Sequence, residues 1–261
     1  MTSRLSVVGI GPGRADWCTP AVAARLAEAT DLVGYEPYLA MVDDSNSARR
    51  HPSDNRVEAD RACAALDLAA AGNDVVIVSS GDPGVFAMAS AVLEQLDEHP
   101  DRWLHVQVDV EPGITAAQAV ASRVGAPLGH DFCVISLSDV LKPWSIIERR
   151  LDAVASADLV IAIYNPRSRH RPHQLADAMS IIRHHRIEST PIIVGRNVGR
   201  DTETILVTDL GRFDPDSIDM STIVVVGSST TRVLDRPLGS SVYTPRHYPT
   251  TPEDDRVHRP D

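Results

Sequence analysis

Four turns rich in glycine and other small residues each follow a short apolar run of the sequence. They occupy residues 9–13, 79–84, 164–166 and 227–230. Small residues allow the backbone to approach a ligand closely, and the Asp82 carboxylate in the second turn could accept hydrogen bonds from hydroxyl or amino groups. Because α/β proteins bind ligands at the carboxyl ends of their strands, the four turns together predict a ligand cleft. A simple connector is the alternative for the first turn.

The first turn does not fit the common nucleotide-binding motifs. A Rossmann fingerprint needs the helix to begin within the glycine motif, whereas here Pro12 interrupts the motif and helical spacing begins only near Thr19. A G-K-[ST] sequence is absent, which excludes a Walker loop. Any ligand at this turn is therefore expected to bind in another way.

Two further groups of side chains could do chemistry. His51 has the near-neutral titration suited to acid or base work, with a surface or capping role as the alternative. Between residues 164 and 186 the only acid is Asp177, whereas five arginines occur, at positions 167, 169, 171, 183 and 186. The segment is therefore locally basic, and arginine can pair carboxylates bidentately. A solvated helix start is the alternative.

The elements that must position these residues alternate in type. Apolar runs at 5–10, 31–34, 74–79 and 104–110 predict strands, and helical spacing at 19–29 and 57–71 predicts helices between them, the second capped by Asn55. Continuous apolar runs indicate a sheet covered on both faces. The pattern restarts after residue 112, with strands at 132–137, 159–164, 191–195, 204–207 and 222–226 and helices at 115–124, 145–155 and 174–185. We therefore predict α/β domains at 1–112 and 113–245, followed by a disordered tail at 246–261.

Composition limits the partners. The 261 residues carry 25 basic and 36 acidic side chains, and the net charge of −11 disfavours nucleic acid. No apolar run is long enough to cross a membrane, and the amino terminus lacks a secretory signal, so a cytoplasmic location is expected. The three cysteines are far apart and suggest neither a disulfide framework nor a metal site.

Several motifs occur in an order that resembles the tetrapyrrole methylase family. They are V-G-x-G-P-G at 8–13, S-G-D-P-G-V-F at 80–86 and the Thr115-Ala116 pair. Five further strings narrow the resemblance to the branch that methylates C17 of a precorrin: H-P-S-D-N at 51–55, G-A-P-L-G-H-D-F at 125–132, I-S-L-S-D at 135–139, Y-N-P-R-S at 164–168 and G-R-N-V-G-R-D-T-E at 195–203. The resemblance spans roughly residues 5–245.

The resemblance implies a two-domain α/β fold with mixed sheets flanked by helices, a ligand cleft between the domains, and a homodimer. It also implies S-adenosyl-L-methionine as cofactor and S-adenosyl-L-homocysteine as product. The cofactor contacts carried over by motif are Pro12, Gly81, Asp82, Val85, Phe86, Thr115, Ala116, Tyr164, Asn165, Asn197, Val198 and Ser228. The alternatives are a core position for Val85 and Phe86 and a helix cap at Thr115.

The activity that the resemblance implies is methyl transfer to C17 of precorrin-3B with ring contraction to precorrin-4, in cobalamin synthesis. Proton transfers are then required, and Glu36, which follows Tyr35, matches a proposed base of related methylases; an exposed loop carboxylate is the alternative. Glu36 and His51 are the catalytic candidates. The residues predicted to bind the substrate carboxylates are Arg14, Arg56, Arg167 and Arg169. Other family transferases, acting at a different precorrin position or in diphthamide synthesis, and a non-catalytic metabolite sensor are the alternative functions.

Overall fold

The computed structural model describes residues 3–54 and 57–248, and these divide into two units. Unit 1 runs through Ala119 and also includes Asn197–Glu203, whereas unit 2 comprises Val120–Arg196 and the chain from Thr204 onward. The division therefore falls after Ala119 rather than at residue 112, and it returns one short loop to unit 1. The predicted cap Asn55, the candidate Arg56 and residues 249–261 of the tail predicted at 246–261 lie outside the described residues.

Unit 1 is a parallel α/β unit in which strands and helices alternate. Its elements are β1 (Ser3–Gly9), a 3-10 helix (Ala15–Trp17), α1 (Pro20–Glu28), β2 (Asp31–Tyr35), α2 (Glu36–Leu39), β3 (Arg49–Ser53), α3 (Glu58–Ala70), β4 (Asp74–Ser79), α4 (Met88–Glu98), β5 (Val106–Glu111) and the first turn of α5 (Ala116–Val124). The strand order is β3-β2-β4-β1-β5, and every neighbouring pair is parallel.

Helices cover both faces of this sheet, as the continuous apolar strands predict. Val22 of α1 and Leu39 of α2 pack with Val8 and Val78 on one face. The helices α3 and α4 pack on the other face, where Leu66 meets the opposite side of the same strands. The chain leaving β1 therefore goes to one face and the chain leaving β4 goes to the other. Such a divergence between adjacent parallel strands opens a crevice at their carboxyl ends, which is where doubly wound sheets bind ligands.

Unit 2 holds a mixed sheet and a smaller one. Its elements are β6 (Gly125–Ala126), β7 (Phe132–Ser136), α6 (Trp144–Ser156), β8 (Val160–Tyr164), α7 (Gln174–Arg183), β9 (Pro191–Arg196), β10 (Thr204–Asp209), a 3-10 helix (Pro215–Ser217), β11 (Thr222–Val226), β12 (Arg232–Arg236) and β13 (Gly239–Tyr243). The larger sheet has the order β10-β9-β11-β8-β7, in which β11 runs antiparallel to both of its neighbours. Ile147, Leu151 and Met179 from α6 and α7 are buried against it.

Local sequence explains where several elements begin. Thr19 caps α1 by accepting a hydrogen bond from the Val22 amide, and Pro20 occupies the first helical turn, where it displaces no hydrogen bond. Strand β3 contains Pro52, which a strand tolerates at the edge of a sheet, and β3 is an edge strand. No helix in the described ranges has both the length and the apolar character that a membrane crossing demands.

Candidate active site

Three glycine-containing loops meet at the carboxyl edge of the unit 1 sheet. Gly11 after β1 and Gly81 after β4 exchange backbone hydrogen bonds of 3.2 and 2.8 Å. The third loop follows β5, and a methyl group on Gly113 would overlap the carbonyl oxygens of Gly81 and Gly9. Only glycine permits this approach. The sequence-predicted turns of unit 1 are thus joined at the crevice between β1 and β4.

The Asp82 carboxylate links the loop after β4 to the loop after β5 by hydrogen bonds. One oxygen accepts a hydrogen bond from the Gly84 amide at 2.8 Å, and the other accepts one from the Gly113 amide at 3.1 Å. Its position at the loop junction agrees with a site at this edge. Its contact with a ligand stays a prediction, because the bonds that the structure shows are to the protein backbone.

Phe86 has an unusual backbone and an exposed ring. Its φ of 53° lies in the left-handed region that bulky residues avoid, and the residue is 51% exposed, which rules out the core alternative. Val85 beside it is half-buried. A residue with a strained backbone persists only where the surrounding structure holds it, and such residues concentrate at binding sites. Further along, Thr115 directly precedes α5 and Ala116 begins it.

The loop Asn197–Glu203 packs against the first glycine turn. Gly13 lacks the side chain that would strike the Arg200 Cγ atom at 2.6 Å, and Arg200 Nε donates a hydrogen bond to the Pro12 carbonyl at 3.2 Å. Asn197 has a φ of 49°, and Val198 is buried. The two loops border a surface cavity of about 550 Å³, lined by Gly13, Arg14, Ala15, Asp16, Met41, Gly199, Arg200 and Asp201.

The carboxyl end of β2 adds polar groups to the same edge of unit 1. Glu36 is exposed at the first position of α2. The rings of Tyr35 and Tyr38 pack edge to face with centroids 5.2 Å apart, and burial raises the pKa of Tyr38. Arg61 is buried nearby: its guanidinium donates to Ser53 Oγ at 2.7 Å and to the Asp54 carbonyl at 2.6 Å, and burial lowers its pKa.

His51 points to the opposite edge of the sheet. Its Nε2 lies 2.7 Å from Oδ1 of Asp31, the first residue of β2. Burial alone would raise the pKa of Asp31, but hydrogen bonds from Arg49, Thr30 and His51 outweigh it and lower this pKa to about 2. The glycine loops follow the last residues of the parallel strands. The structure therefore separates His51 from the loops and gives it a structural partner.

In unit 2, two of the predicted turns lie at opposite edges of the larger sheet. Asn165 follows β8, has a φ of 49° and donates to Ser136 Oγ at the end of β7, at 2.9 Å. The turn with Ser228 follows β11, which is antiparallel to β8, so it lies at the edge where β8 begins. Each turn follows the carboxyl end of its strand, but the two turns of unit 2 do not share an edge of the sheet. Ser228 is buried, and its hydroxyl lies 3.0 Å from that of Thr230.

The arginine-rich segment of unit 2 is mostly turned inward. Arg186 is buried and donates to the carbonyls of Ala155 at 2.6 Å and Leu159 at 3.1 Å. Arg171 donates in the same way to Leu137 and Asn165, and Arg183 to Leu210. A basic surface from all five arginines is therefore not formed.

The two arginines of this segment that were predicted to bind substrate differ. Arg167 donates to the carbonyls of Pro172, at 3.1 Å, and Asp216, and its Nη2 also pairs with the Asp216 carboxylate at 3.0 Å. A substrate carboxylate would have to compete with these bonds. Arg169 is exposed, and none of the described residues bonds to it. Both roles stay predictions.

Sequence reasoning found Arg14 but missed three other residues of unit 1. Arg14 borders the cavity, where its Nε donates to Asp16 at 2.8 Å and its guanidinium lies 5.6 Å from the centroid of the Trp17 ring. Arg200, Tyr38 and Arg61 were not singled out. Arg200 lies within the motif at 195–203 that carried the resemblance, so this signal was available. Arg61 lies in an ordinary helical pattern, and only its burial makes it notable.

Comparison with known proteins shows to which family the chain belongs. The model of the tetrapyrrole (corrin/porphyrin) methylases matches residues 4–214. A protein of Mycobacterium bovis named cobalamin biosynthesis protein CobIJ is 51% identical over 253 residues, which is 95% of this chain. This chain spans only 49% of the length of that relative.

A second relative matches over nearly its whole length. The precorrin-3B C(17)-methyltransferase of a Sinorhizobium species is 51% identical over 95% of this chain and 98% of its own. Among solved structures, the methyltransferase CobJ is 49% identical and superimposes with a TM-score of 0.87 over 92% of this chain and 99% of that one. A uroporphyrin-III C-methyltransferase from Thermus thermophilus, complexed with S-adenosylhomocysteine, shares the fold at 20% identity and a TM-score of 0.65, over 86% of this chain and 92% of its own. The chain belongs to the tetrapyrrole methylase family.

Proposed function

We propose that the protein transfers a methyl group from S-adenosyl-L-methionine to C17 of precorrin-3B and contracts the macrocycle to give precorrin-4. The observation that carries this proposal is the near-complete alignment with the precorrin-3B C(17)-methyltransferase, at 51% identity over 98% of that relative. The glycine loops at the carboxyl edge of unit 1 support it, because they border the crevice between β1 and β4, where a doubly wound sheet binds its ligand.

The residues present fit the cofactor in chemistry and in placement. The glycine loops lie at the strand divergence between β1 and β4, where their close approach leaves no room for side chains. Pro12, Gly81 and Asp82 belong to these loops, and Thr115 and Ala116 follow the third. Exposed Phe86 offers an apolar surface suited to an adenine ring. We propose that these residues, with Val85, Asn197 and Val198 of unit 1, hold S-adenosyl-L-methionine; the roles of Tyr164, Asn165 and Ser228 in unit 2 stay predictions.

The cofactor supplies an activated methyl group when bound. The protein therefore needs no nucleophile of its own, and its residues contribute by holding the reactants in line, an effect that can reach about 7–11 kcal/mol. The Gly11–Gly81 bridge and the Asp82 hydrogen bonds link the loops that would hold the cofactor.

Ring contraction requires proton transfers, for which we propose Glu36. Its carboxyl group is exposed at the edge that carries the glycine loops, whereas His51 is bonded to Asp31 at the other edge. Replacement of Glu36 by Gln keeps the size of the side chain and removes its basicity. We expect this variant to lower kcat at least tenfold while leaving the Kd for S-adenosylhomocysteine unchanged.

A second candidate function has its own support. A probable cobalt-factor III C(17)-methyltransferase of Salmonella typhimurium is 42% identical over 94% of this chain and 99% of its own. That enzyme name implies a substrate that already carries cobalt. The higher identity with the precorrin-3B enzyme favours the metal-free substrate.

One experiment separates the two candidates. The purified protein is incubated without oxygen with S-adenosyl-L-methionine and either precorrin-3B or cobalt-factor III, and products are followed by mass and absorbance. A methylated, ring-contracted product from precorrin-3B is expected. Product from cobalt-factor III alone would establish the second candidate, and product from neither would overturn both.

We further infer a homodimer in the cytoplasm that uses no nucleic acid or membrane. The family resemblance supports the dimer. Light scattering of the purified protein is expected to give twice the chain mass of 28.2 kDa, and a single chain mass at micromolar concentration would contradict it.

A further inference from the structure

We propose that Arg200 binds a side-chain carboxylate of the tetrapyrrole substrate at the cavity beside the first glycine turn. This inference rests on the proposed function for the identity of the substrate. It assigns a role to the motif at 195–203, of which only Asn197 and Val198 were expected to act.

The backbone around Arg200 is built to hold this side chain in place. The Arg200 amide donates to the Asn197 carbonyl at 2.9 Å, and the Glu203 amide donates to the Arg200 carbonyl at 2.9 Å. Glu203 also accepts a hydrogen bond from the Gly199 amide at 2.6 Å. Gly13 leaves space for the Arg200 side chain, because any larger residue there would strike its Cγ. These bonds fix the backbone of the loop, and the exposed side chain is oriented by its hydrogen bond from Nε to the Pro12 carbonyl.

Among the described residues, Arg200 Nε has a hydrogen-bond partner but the two terminal nitrogens of the guanidinium have none. Nε donates to the Pro12 carbonyl at 3.2 Å, and no acceptor among the described residues bonds to Nη1 or Nη2. A guanidinium carries five N–H donors, and the free pair of nitrogens matches a carboxylate bidentately. Most neighbouring arginines lack this property: Arg14 is bonded to Asp16 and Arg61 is buried.

The charges that line the cavity balance, because the lining contains two arginines and two aspartates. The cavity as a whole is therefore not expected to attract anions, and selective binding of an anion depends on Arg200. Asp16 is neutralised by Arg14, whereas the exposed Asp201 has no partner among the described residues. The Arg200 charge reaches beyond the cavity, because it opposes the effect of burial on the pKa of Tyr38. Met41 supplies an apolar contact for a ring.

The test compares variants of the whole protein. Arg200→Gln removes the charge and the fork, Arg200→Lys keeps the charge alone, and Asp201→Asn removes a like charge beside the proposed carboxylate. The matched control is Arg212→Gln, an exposed arginine of unit 2 whose one side-chain partner in the described part of the chain is Asp209. Binding is measured with a stable octacarboxylate porphyrin, its octamethyl ester and S-adenosylhomocysteine, and turnover is measured where it occurs.

We expect Arg200→Gln to weaken octacarboxylate binding about tenfold and to raise the substrate KM similarly, with kcat changed less than twofold. Arg200→Lys should lose less, Asp201→Asn should bind two- to threefold more tightly, and S-adenosylhomocysteine binding should stay unchanged. Equal losses of porphyrin and S-adenosylhomocysteine binding would show a role in loop structure only and overturn the proposal. Failure of the wild-type protein to prefer the acid over the ester would also overturn it.

The readouts distinguish this inference from the proposed function. Porphyrin binding needs no turnover. If the wild-type protein binds the octacarboxylate through Arg200 but does not methylate precorrin-3B, the proposed reaction fails and the carboxylate site stands. If it methylates precorrin-3B and Arg200→Gln leaves KM unchanged, the reaction stands and the site fails.

Discussion

At the scale of single residues, the partners of each arginine separate structural roles from binding roles. All but one of the 25 basic residues are arginine. Arg186 and Arg171 bond to carbonyl oxygens in the interior, and their planar donor sets link several backbone segments at once. Within the described residues, no acceptor bonds to Nη1 or Nη2 of Arg200 or to the guanidinium of Arg169, and both residues are exposed. Sequence alone cannot tell these classes apart, because the difference lies in what surrounds the side chain.

Arg186 provides a test of a structural arginine. Its side chain is 2% exposed, and it bonds to the carbonyls of Ala155, Leu159 and Gly227 and pairs with Asp158 at 3.1 Å. Arg186→Met keeps the length of the side chain but leaves these acceptors unpaired, so we expect a loss of about 3 kcal/mol in the free energy of unfolding. Urea denaturation measures it. Exposed Arg212→Gln should show no measurable change, and equal stability of the two variants would contradict the assignment.

The Asp31–His51 pair gives a prediction about pH. The pKa of Asp31 is about 2 in the folded protein and near 3.9 in an unfolded chain. A lowered pKa stabilises the fold above the unfolded value, and this contribution is lost as the pH falls through the folded value. Between pH 5 and pH 3 the wild-type protein should therefore lose about 1 kcal/mol more stability than Asp31→Asn. Parallel pH profiles of the two proteins would show that Asp31 has no such shift.

At the scale of elements, the sequence predicted most strands and helices because their patterns are strong and local. The apolar runs at 74–79 and 222–226 coincide with β4 and β11. Strand β3 was missed because its side chains are polar and it contains proline, and it is held only as an edge strand. The sequence predicts that the Ser228 turn follows β11, but it does not show at which edge of the sheet the turn lies. Sequence gives the end of a strand but not its direction in the sheet, and only the antiparallel pairing of β11 reveals the edge.

The contact between the glycine loops can be tested by adding one methyl group. Gly113→Ala would place its Cβ against the carbonyl oxygens of Gly81 and Gly9, so the loops must separate. We expect S-adenosylhomocysteine binding to weaken at least tenfold, measured by calorimetry. The control Gly72→Ala has a strained φ of 92° but open space around its Cβ, and should lose about 1 kcal/mol of stability without any change in binding. Unchanged binding in Gly113→Ala would place the cofactor elsewhere.

At the scale of the whole molecule, the charge and the proposed substrate have the same sign. The chain carries a net charge of −11, and a polycarboxylate tetrapyrrole is also an anion. The inward arginines of unit 2 are already counted in this net charge, and their hydrogen bonds to the interior keep them from contacting a substrate. The approach of an anionic substrate is therefore opposed by the net charge of the protein at long range. It is favoured only at short range, where a residue such as Arg200 makes direct contact with the substrate.

These two ranges respond differently to salt, which gives a last prediction. Screening extends over about 30 Å at 10 mM ionic strength and about 8 Å at 150 mM, so added salt removes the long-range repulsion before it weakens a direct arginine–carboxylate pair. We expect the Kd of the octacarboxylate porphyrin to fall at least twofold between these two conditions, while the Kd of its uncharged ester does not change. Arg200→Gln should keep the same salt trend at lower affinity, because the net charge of the protein remains strongly negative. A Kd that rises with salt would mean that a basic surface, rather than a single positioned arginine, dominates binding.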